Sequence, residues 1–444
     1  MRLVASWLAV GVICGLAAGC GGGGGDDGDG GGGGGDGGVA GGDGGVAGDG
    51  GAGDAMVGPA ATVLRIHYPA GAEVVTVRGA GLPGGWTVGT PTTAGGAGGA
   101  DVWTYSTTTL AAPTEWKPLL GDVWSLGANY HVTPGQTVDV YPHFKTARGQ
   151  VMQFASPFGS TVLGNSRVVW AYLPPVYLEN STVRLPVVYM HDGQNLFDAA
   201  RAFGGVEWQV DETLDAAAAG GRCQDAGAKA CMSDGDCNPG GGGAAGAAGA
   251  VVRCESFREA IVIAPENAGA ARIYEYTPSF DASYDPSGGA DKFLQMLRTE
   301  LKPRVDSMLR TLPGPADTGV VGSSLGGLLS AYAGVTQPGT FGLVGAMSPS
   351  TWWDGRVIIA RVMTTPTAGA GVRPLRVYVD SGDAGSSMDG VTDTRALAQA
   401  YLARGYLMGQ DFLHVVAPGH QHSEGYWAQR LPGALGFLLG PRER

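Results

Sequence analysis

From about Lys145 onward, near-continuous apolar runs of strand length alternate with amphipathic helical patterns, and no other feature of the 444-residue chain narrows its fold as much. The strand candidates are Val168–Leu173, Leu185–Met190, Ala260–Ala264, Thr318–Val321, Leu343–Met347, Leu375–Val379 and Phe412–Val416. A strand that is apolar on both faces needs cover on both sides, which helices packed across a parallel sheet provide. Between these runs, Phe293, Leu294, Leu297, Leu301 and Val305 share one face of a helix expected over Asp291–Met308. Ala396–Arg404 and Tyr426–Leu438 carry the same helical period. Strand-then-helix repetition predicts a doubly wound α/β fold with a mostly parallel sheet over residues 145–444.

Residues 61–144 have a different texture. Short β-branched runs at Thr62–Tyr68, Glu73–Arg78, Val102–Tyr105 and Thr137–Tyr141 are separated by Gly/Pro turns such as Gly81-Leu82-Pro83-Gly84-Gly85. That spacing predicts a small all-β sandwich. Its Trp86, Trp103, Trp116-Lys117 and Asn129 resemble those of the starch-binding-like sandwich domains that precede many secreted esterases. Core tryptophans in a purely structural domain account for them equally well.

The first 60 residues look unable to build a core. Residues 21–60 hold 23 glycines and 7 aspartates and no Lys or Arg, which reads as a flexible tether. Ahead of it, Arg2 precedes an apolar stretch, Leu3–Leu16, too short to span a bilayer as a mature helix. Leu16-Ala17-Ala18-Gly19-Cys20 resembles a bacterial lipoprotein signal. The resemblance implies a signal peptide over residues 1–20, lipidation at Cys20 and an exported protein anchored to a membrane by lipid. The net charge of −12 leaves −6 in the body after the tether and Arg2 are set aside, and no Lys/Arg cluster is present, which argues against a nucleic-acid partner.

Four further cysteines, Cys223, Cys231, Cys237 and Cys254, fall in one short segment. In an exported chain they predict two disulfides, and the three possible pairings stay open. The Cys-x-x-Cys pairs expected of a zinc site are missing. Residues 220–254, with the Gly/Ala run Gly240–Ala250, read as a stapled surface insertion in the larger domain.

Chemistry concentrates at Gly322-Ser323-Ser324-Leu325-Gly326, a G-x-S-x-G pattern centred on Ser324. An apolar run leads into it and Gly327–Ala333 continues as a helix. A sharp strand-to-helix turn exposes the serine hydroxyl and sets the helix N-terminus where negative charge develops. A serine needs a base. His420 and His422 lie in the loop after the last strand candidate, and His422-Ser423-Glu424, leading into the last helix, makes His422 the preferred one.

Six ordered motifs then resemble the putative-esterase family of α/β-hydrolases, which includes enterochelin esterases, feruloyl esterases, esterase D and mycolyltransferases. They are Tyr172-Leu173-Pro174-Pro175, Val188–Phe197 with its His191-Asp192-Gly193-Gln194 core, Glu275-Tyr276-Thr277-Pro278, Gly322–Gly327, Met347-Ser348-Pro349-Ser350-x-Trp352-Trp353 and His422-Ser423-Glu424-x-x-Trp427. The resemblance covers roughly residues 150–439. It implies Ser324 as nucleophile and His422 as base, with the backbone N–H groups of Gln194 and Leu325 forming the oxyanion hole. It also implies that Asp192 and Trp352 or Trp353 border the acyl pocket.

The third catalytic member departs from the family pattern, because the position where relatives carry the acid is Gly385 here. Asp383 sits just beyond the strand and Asp389 follows a Gly/Ser-rich insertion; spacing to the next helix favours Asp389, and both stay open. The order Ser, Asp, His suits an α/β-hydrolase with either.

These residues predict an exported serine carboxylesterase working through an acyl-enzyme, with no metal or cofactor. An acylated polysaccharide, a siderophore lactone or a small ester would serve as substrate. An acyltransferase would use the same residues, and a surface-binding lipoprotein could use the fold as a scaffold only.

Overall fold

The computed structural model describes residues 60–95, 99–223, 230–237, 254–366 and 373–442. The expected signal peptide, Cys20 and the tether to residue 59 lie outside the described residues, as do residues 224–229 and 238–253 of the insertion.

Residues 62–140 form two packed sheets. One orders its strands Thr93–Ala94, Val102–Thr107, Thr62–His67 and Thr137–Val140; the other is built on Val75–Gly79 and Thr114–Leu120, with short neighbours at Thr90–Pro91, Val123–Trp124 and Tyr130–Val132. Thr62–His67 and Val75–Gly79 alternate buried with half-buried residues, the period-2 pattern that turns one face inward. Leu64, Ile66, Val75, Val77, Trp116, Tyr130 and Val138 fill the space between the sheets. Trp103 and Trp116 are therefore core residues. Trp86 and Trp124 are the partly exposed ones, with ring centroids 6.1 Å apart, beside a hollow of about 420 Å³ lined also by Glu115, Lys117 and Asn129.

The larger sheet has eight strands: β1 (Gln150–Ser160), β2 (Asn165–Leu173), β3 (Val187–Met190), β4 (Ile261–Pro265), β5 (Thr318–Ser323), β6 (Leu343–Met347), β7 (Arg376–Gly382) and β8 (Phe412–Ala417). Their spatial order is β1-β2-β4-β3-β5-β6-β7-β8. β2 is antiparallel to both β1 and β4, and every later pair is parallel. β3, β4, β5 and β6 are buried at every residue, as two-sided cover requires.

Six helices supply most of that cover: α1 (Val210–Ala219), α2 (Ala290–Met296, continuing through a π segment at Leu297–Leu301 into Lys302–Met308), α3 (Leu325–Thr336), α4 (Trp353–Met363), α5 (Val391–Ala403) and α6 (Glu424–Leu439). On one face, Phe293, Leu297, Leu328, Ile358 and Leu397 from α2 to α5 join a single apolar cluster with the sheet. On the other, Leu214 of α1 and Leu431, Leu435 and Leu438 of α6 form a second. Each such side chain, taken fully out of water, contributes roughly 2 kcal/mol. The chain is thus a doubly wound α/β-hydrolase sheet preceded by an all-β sandwich.

In the insertion, Gly221–Cys223, Ala230–Cys231 and Cys254–Glu255 make a small antiparallel sheet. A disulfide joins Cys231 to Cys254, and Cys237 is also disulfide-bonded; the side chain of Cys223 lies outside the described part. Asp234 ties the insertion to the sandwich: its backbone N–H donates to Glu115 at 2.9 Å, and its carboxylate meets His131 Nε2 at 3.1 Å.

Candidate active site

Parallel strands end together, so the loops that follow β3, β5, β6, β7 and β8 collect at one edge of the sheet, where ligands bind in such folds. β5 delivers Ser324. That residue stands between β5 and α3 with φ +55 and ψ −122, a backbone conformation that side-chain-bearing residues rarely adopt. It is held there by Ser324 N–H donating to Met347 O at 3.1 Å and by Ser350 N–H donating to Ser324 O at 2.9 Å. Gly322 is required by close approach, because a Cβ there would lie 2.8 Å from Gly326 C and from His191 Cδ2. Leu325 is the first residue of α3, so its N–H belongs to the first turn that no helix carbonyl reaches.

The candidate base, His422, stands in the loop between β8 and α6. His422 Nδ1 lies 2.7 Å from Asp389 Oδ1, and its ring packs edge-on against Trp427 with centroids 4.9 Å apart. Asp389, with φ +45, is buried. Burial alone would raise its carboxyl, but His422, the Gly382 N–H and the Ser348 hydroxyl hold it below the usual carboxylate range. Of the two acid candidates, the structure brings Asp389 to His422. Asp383 does not join them; its carboxylate accepts the Gly419 N–H at 2.7 Å. His420 is likewise occupied elsewhere, 3.4 Å from Arg430 Nη1 and with its ring tilted against Tyr426 at 4.7 Å between centroids.

On the other side of the serine, β3 runs alongside β5 and His191 N–H donates to Val321 O at 3.0 Å. Asp192 then turns the chain at φ +58 into a short 3-10 turn, Gly193–Asn195, that carries Gln194. Gly193 leaves no room for a side chain, since a Cβ would sit 2.3 Å from Ala264 O. Asp192, which the sequence resemblance sets at the acyl pocket, is buried here. Its buried carboxylate takes a two-pronged ion pair from Arg272, Nε to Oδ1 at 2.7 Å and Nη2 to Oδ2 at 2.8 Å, and a third donor from Asn267 at 2.7 Å. Asn267 N–H also donates to Gln194 Oε1 at 3.1 Å, so this cage fixes the turn that presents the Gln194 backbone.

Of the two tryptophans, Trp353 is 1% exposed and its indole N–H donates to Ser279 O, which makes it core. Trp352 is 46% exposed and contacts Tyr284 at 5.8 Å between centroids. Phe203, Phe280 and Met388 are likewise exposed apolar side chains, in the loops after β3, β4 and β7. The buried residues that sequence reading passed over are Ser348, Asp380 and Arg430, which surround Asp389. A signal existed: Arg430 lies three residues after Trp427 on the apolar face of α6, where a cation must find partners.

Among the described residues, three groups gather three potential metal ligands each, and none includes Ser324, His422 or Asp389. The cysteines of the first are disulfide-bonded.

Residues 160–225 and 229–438 match the family described as Putative esterase. The chain is similar to the uncharacterized protein YbbA of Bacillus subtilis (strain 168), 26% identical over 191 residues, which is 40% of this chain and 72% of that protein. It is also similar to the siderophore enterobactin esterase of Emericella nidulans, 32% identical over 99 residues, which is 20% of this chain and only 33% of that enzyme. Among solved structures, the enterobactin esterase FES from Shigella flexneri superposes with a TM-score of 0.43 at 16% identity, covering 84% of this chain and 91% of that one. With the family match extending over most of the eight-stranded sheet and its helices, the chain belongs to the putative esterase family of enzymes.

Proposed function

We propose that the protein is a serine carboxylesterase in which Ser324, His422 and Asp389 act as nucleophile, base and acid. The observation that carries this reading is the 2.7 Å contact between Asp389 and His422 Nδ1, supported by the strained strand-to-helix turn that carries Ser324. With Nδ1 engaged by the carboxylate, Nε2 is left to accept the Ser324 proton. The Ser324 oxygen then bonds to the ester carbonyl carbon, and the carbonyl electron pair moves onto oxygen, where the Leu325 and Gln194 N–H groups receive it. Collapse breaks the bond to the leaving alkoxide, which takes the proton from His422. Water repeats the sequence on the acyl-enzyme and releases the acid.

The exposed apolar side chains of Phe203, Phe280, Trp352 and Met388, in the loops after β3, β4, β6 and β7, support an ester whose acyl or alcohol part carries apolar surface. Export and lipidation at Cys20 belong to the same proposal on the strength of the sequence. Loss of metabolic palmitate labelling in Cys20→Ser is the expected outcome, and retained labelling would contradict it.

The test is hydrolysis of p-nitrophenyl acetate by the full chain beside three variants. Ser324→Ala is expected to lose at least 10³-fold in kcat and Asp389→Asn at least 10²-fold, by analogy with other Ser-His-Asp sites, while Asp383→Asn stays near wild type. Turnover that survives Ser324→Ala would overturn the assignment of the nucleophile, and equal losses in the two aspartate variants would overturn that of the acid.

A further inference from the structure

His422 engages one oxygen of Asp389; the other is held by buried groups with no part in the acyl transfer just described. Ser348 follows β6, 1% exposed and at φ +38. Its hydroxyl oxygen receives the Trp427 indole N–H at 3.0 Å and an Arg430 Nη2–H at 2.6 Å. Both are donors with no acceptor capacity, so they occupy the two lone pairs of the hydroxyl. Its single proton has one direction left, toward Asp389 Oδ2 at 2.7 Å.

Arg430 links this hydroxyl to a second buried acid. Its Nε donates to Asp380 Oδ2 at 3.0 Å, and its Nη2 lies 3.4 Å from Asp389 Oδ2. Asp380 and Asp389 have no exposed side-chain surface, and Arg430 only 4%. Burial raises the Asp380 carboxyl, and Arg430, the Ser348 N–H and the Tyr378 hydroxyl, the last two each at 3.0 Å, oppose that rise by favouring the carboxylate. Two carboxylates and one guanidinium leave a charge of −1 when His422 is neutral. The charge falls to zero once His422 has taken the serine proton.

We infer that Arg430 and Ser348, backed by Asp380, are positioning residues that orient Asp389 and set its charge, so that the buried site balances only with His422 protonated. The other titratable groups nearby lie around this cluster: His420 beside Arg430, Asp383 near His420, and Glu424 on α6 near His422, with Arg272 and Asp192 beyond it. None of them touches Asp389 Oδ2. A guanidinium and a hydroxyl both aimed at one carboxylate oxygen do together what neither does alone, since the cation fixes the direction of the hydroxyl proton.

This inference rests on the serine-esterase reading, and the pH dependence of kcat/KM on p-nitrophenyl acetate tests the two separately. Asp380→Asn takes the cluster from −1 to zero with His422 neutral and so disfavours the imidazolium, and the acidic limb is expected to move down by about one pH unit. Arg430→Met leaves two carboxylates uncompensated and moves the limb up by a similar amount. The double variant restores the charge count and returns the limb toward wild type. Ser348→Ala, which removes the donor but no charge, lowers kcat and leaves the limb in place. A merely structural role predicts losses without these opposed shifts. Singles whose limbs stay at the wild-type position, or move the same way, would overturn the inference while leaving the esterase standing. Where Arg430→Met fails to fold, Asp380→Asn alone carries the sign, and an unmoved limb there is contradictory. Absence of wild-type turnover would instead overturn the esterase reading, and this inference with it.

Discussion

At Asp192 the carboxylate is consumed in holding a turn. Arg272 and Asn267 supply three charge-assisted or neutral hydrogen bonds to it, and the backbone beyond it carries Gln194. The Arg272 side chain is 25% exposed, whereas that of Asp192 is only 9% exposed. Removing the cation therefore leaves a buried anion. Arg272→Met is expected to cost roughly 3 kcal/mol of stability and to lower kcat by about tenfold to a hundredfold as the Gln194 N–H shifts. Arg272→Lys keeps the charge and loses the fork, so it should recover most of the melting temperature and little of kcat. Thermal melts and steady-state kinetics on the three proteins check this, and an unchanged kcat in Arg272→Met would show that the cage does not position the oxyanion turn. At this scale the sequence revealed residue types more readily than partners. Ser324 and His422 were visible because their motifs are contiguous. Asp383 and Asp389 could not be separated, because the choice depends on which carboxylate the turn at Met388 and Asp389, both at positive φ, swings toward His422. Arg272 was invisible, since nothing local in Ala271-Arg272-Ile273 announces a partner 80 positions upstream.

Among the elements, strands buried on both faces were the most legible. Leu343–Met347 agrees to the residue with β6, and the runs near β3, β4, β5, β7 and β8 differ only at their ends. β1 was missed. Its register shifts between Gln153 and Ala155 and again between Ala155 and Phe158, so no simple alternation survives in the sequence. The sandwich strands Thr90–Pro91, Thr93–Ala94 and Val123–Trp124 are two residues long, too short to carry a period at all. α4 begins with Asp354, Gly355 and Arg356 at positive φ, a conformation that propensity does not anticipate. α6 shows the opposite case. Its apolar stripe was plain, and the functional information lay in the one charged residue that interrupts it, Arg430.

For the whole molecule, the seam between sandwich and α/β sheet is where the sequence was silent. The described residues of the sandwich and of the α/β sheet belong to one compact unit. Asn180 donates to His67 O and Pro142 O at 2.8 and 3.0 Å, and the Glu179 carboxylate accepts the N–H groups of Phe144, Lys145 and Thr146. Nearby, Glu259 is buried 3.7 Å from His143, and burial pushes its carboxyl up to about 7 and the imidazole down to about 3. A carboxyl raised on folding binds protons more tightly in the folded state. It therefore costs nothing below its unfolded pKa of 4.5 and destabilises progressively as pH rises from there to about 7. The full cost is of order 3 kcal/mol. Glu259→Gln is expected to match wild type in melting temperature near pH 4.5 and to exceed it by several degrees at pH 7.5. Parallel melting curves at both values would contradict an interface carboxylate of this kind.

The central claim is that Ser324 is an activated nucleophile. The most direct measurement is to treat the full chain with a fluorophosphonate and locate the adduct by peptide mass spectrometry. One phosphonyl group per chain is expected, on Ser324 and not on Ser323 or Ser350, with labelling slowed at least 10²-fold in His422→Ala. An unlabelled chain, or a label on another serine, would contradict it.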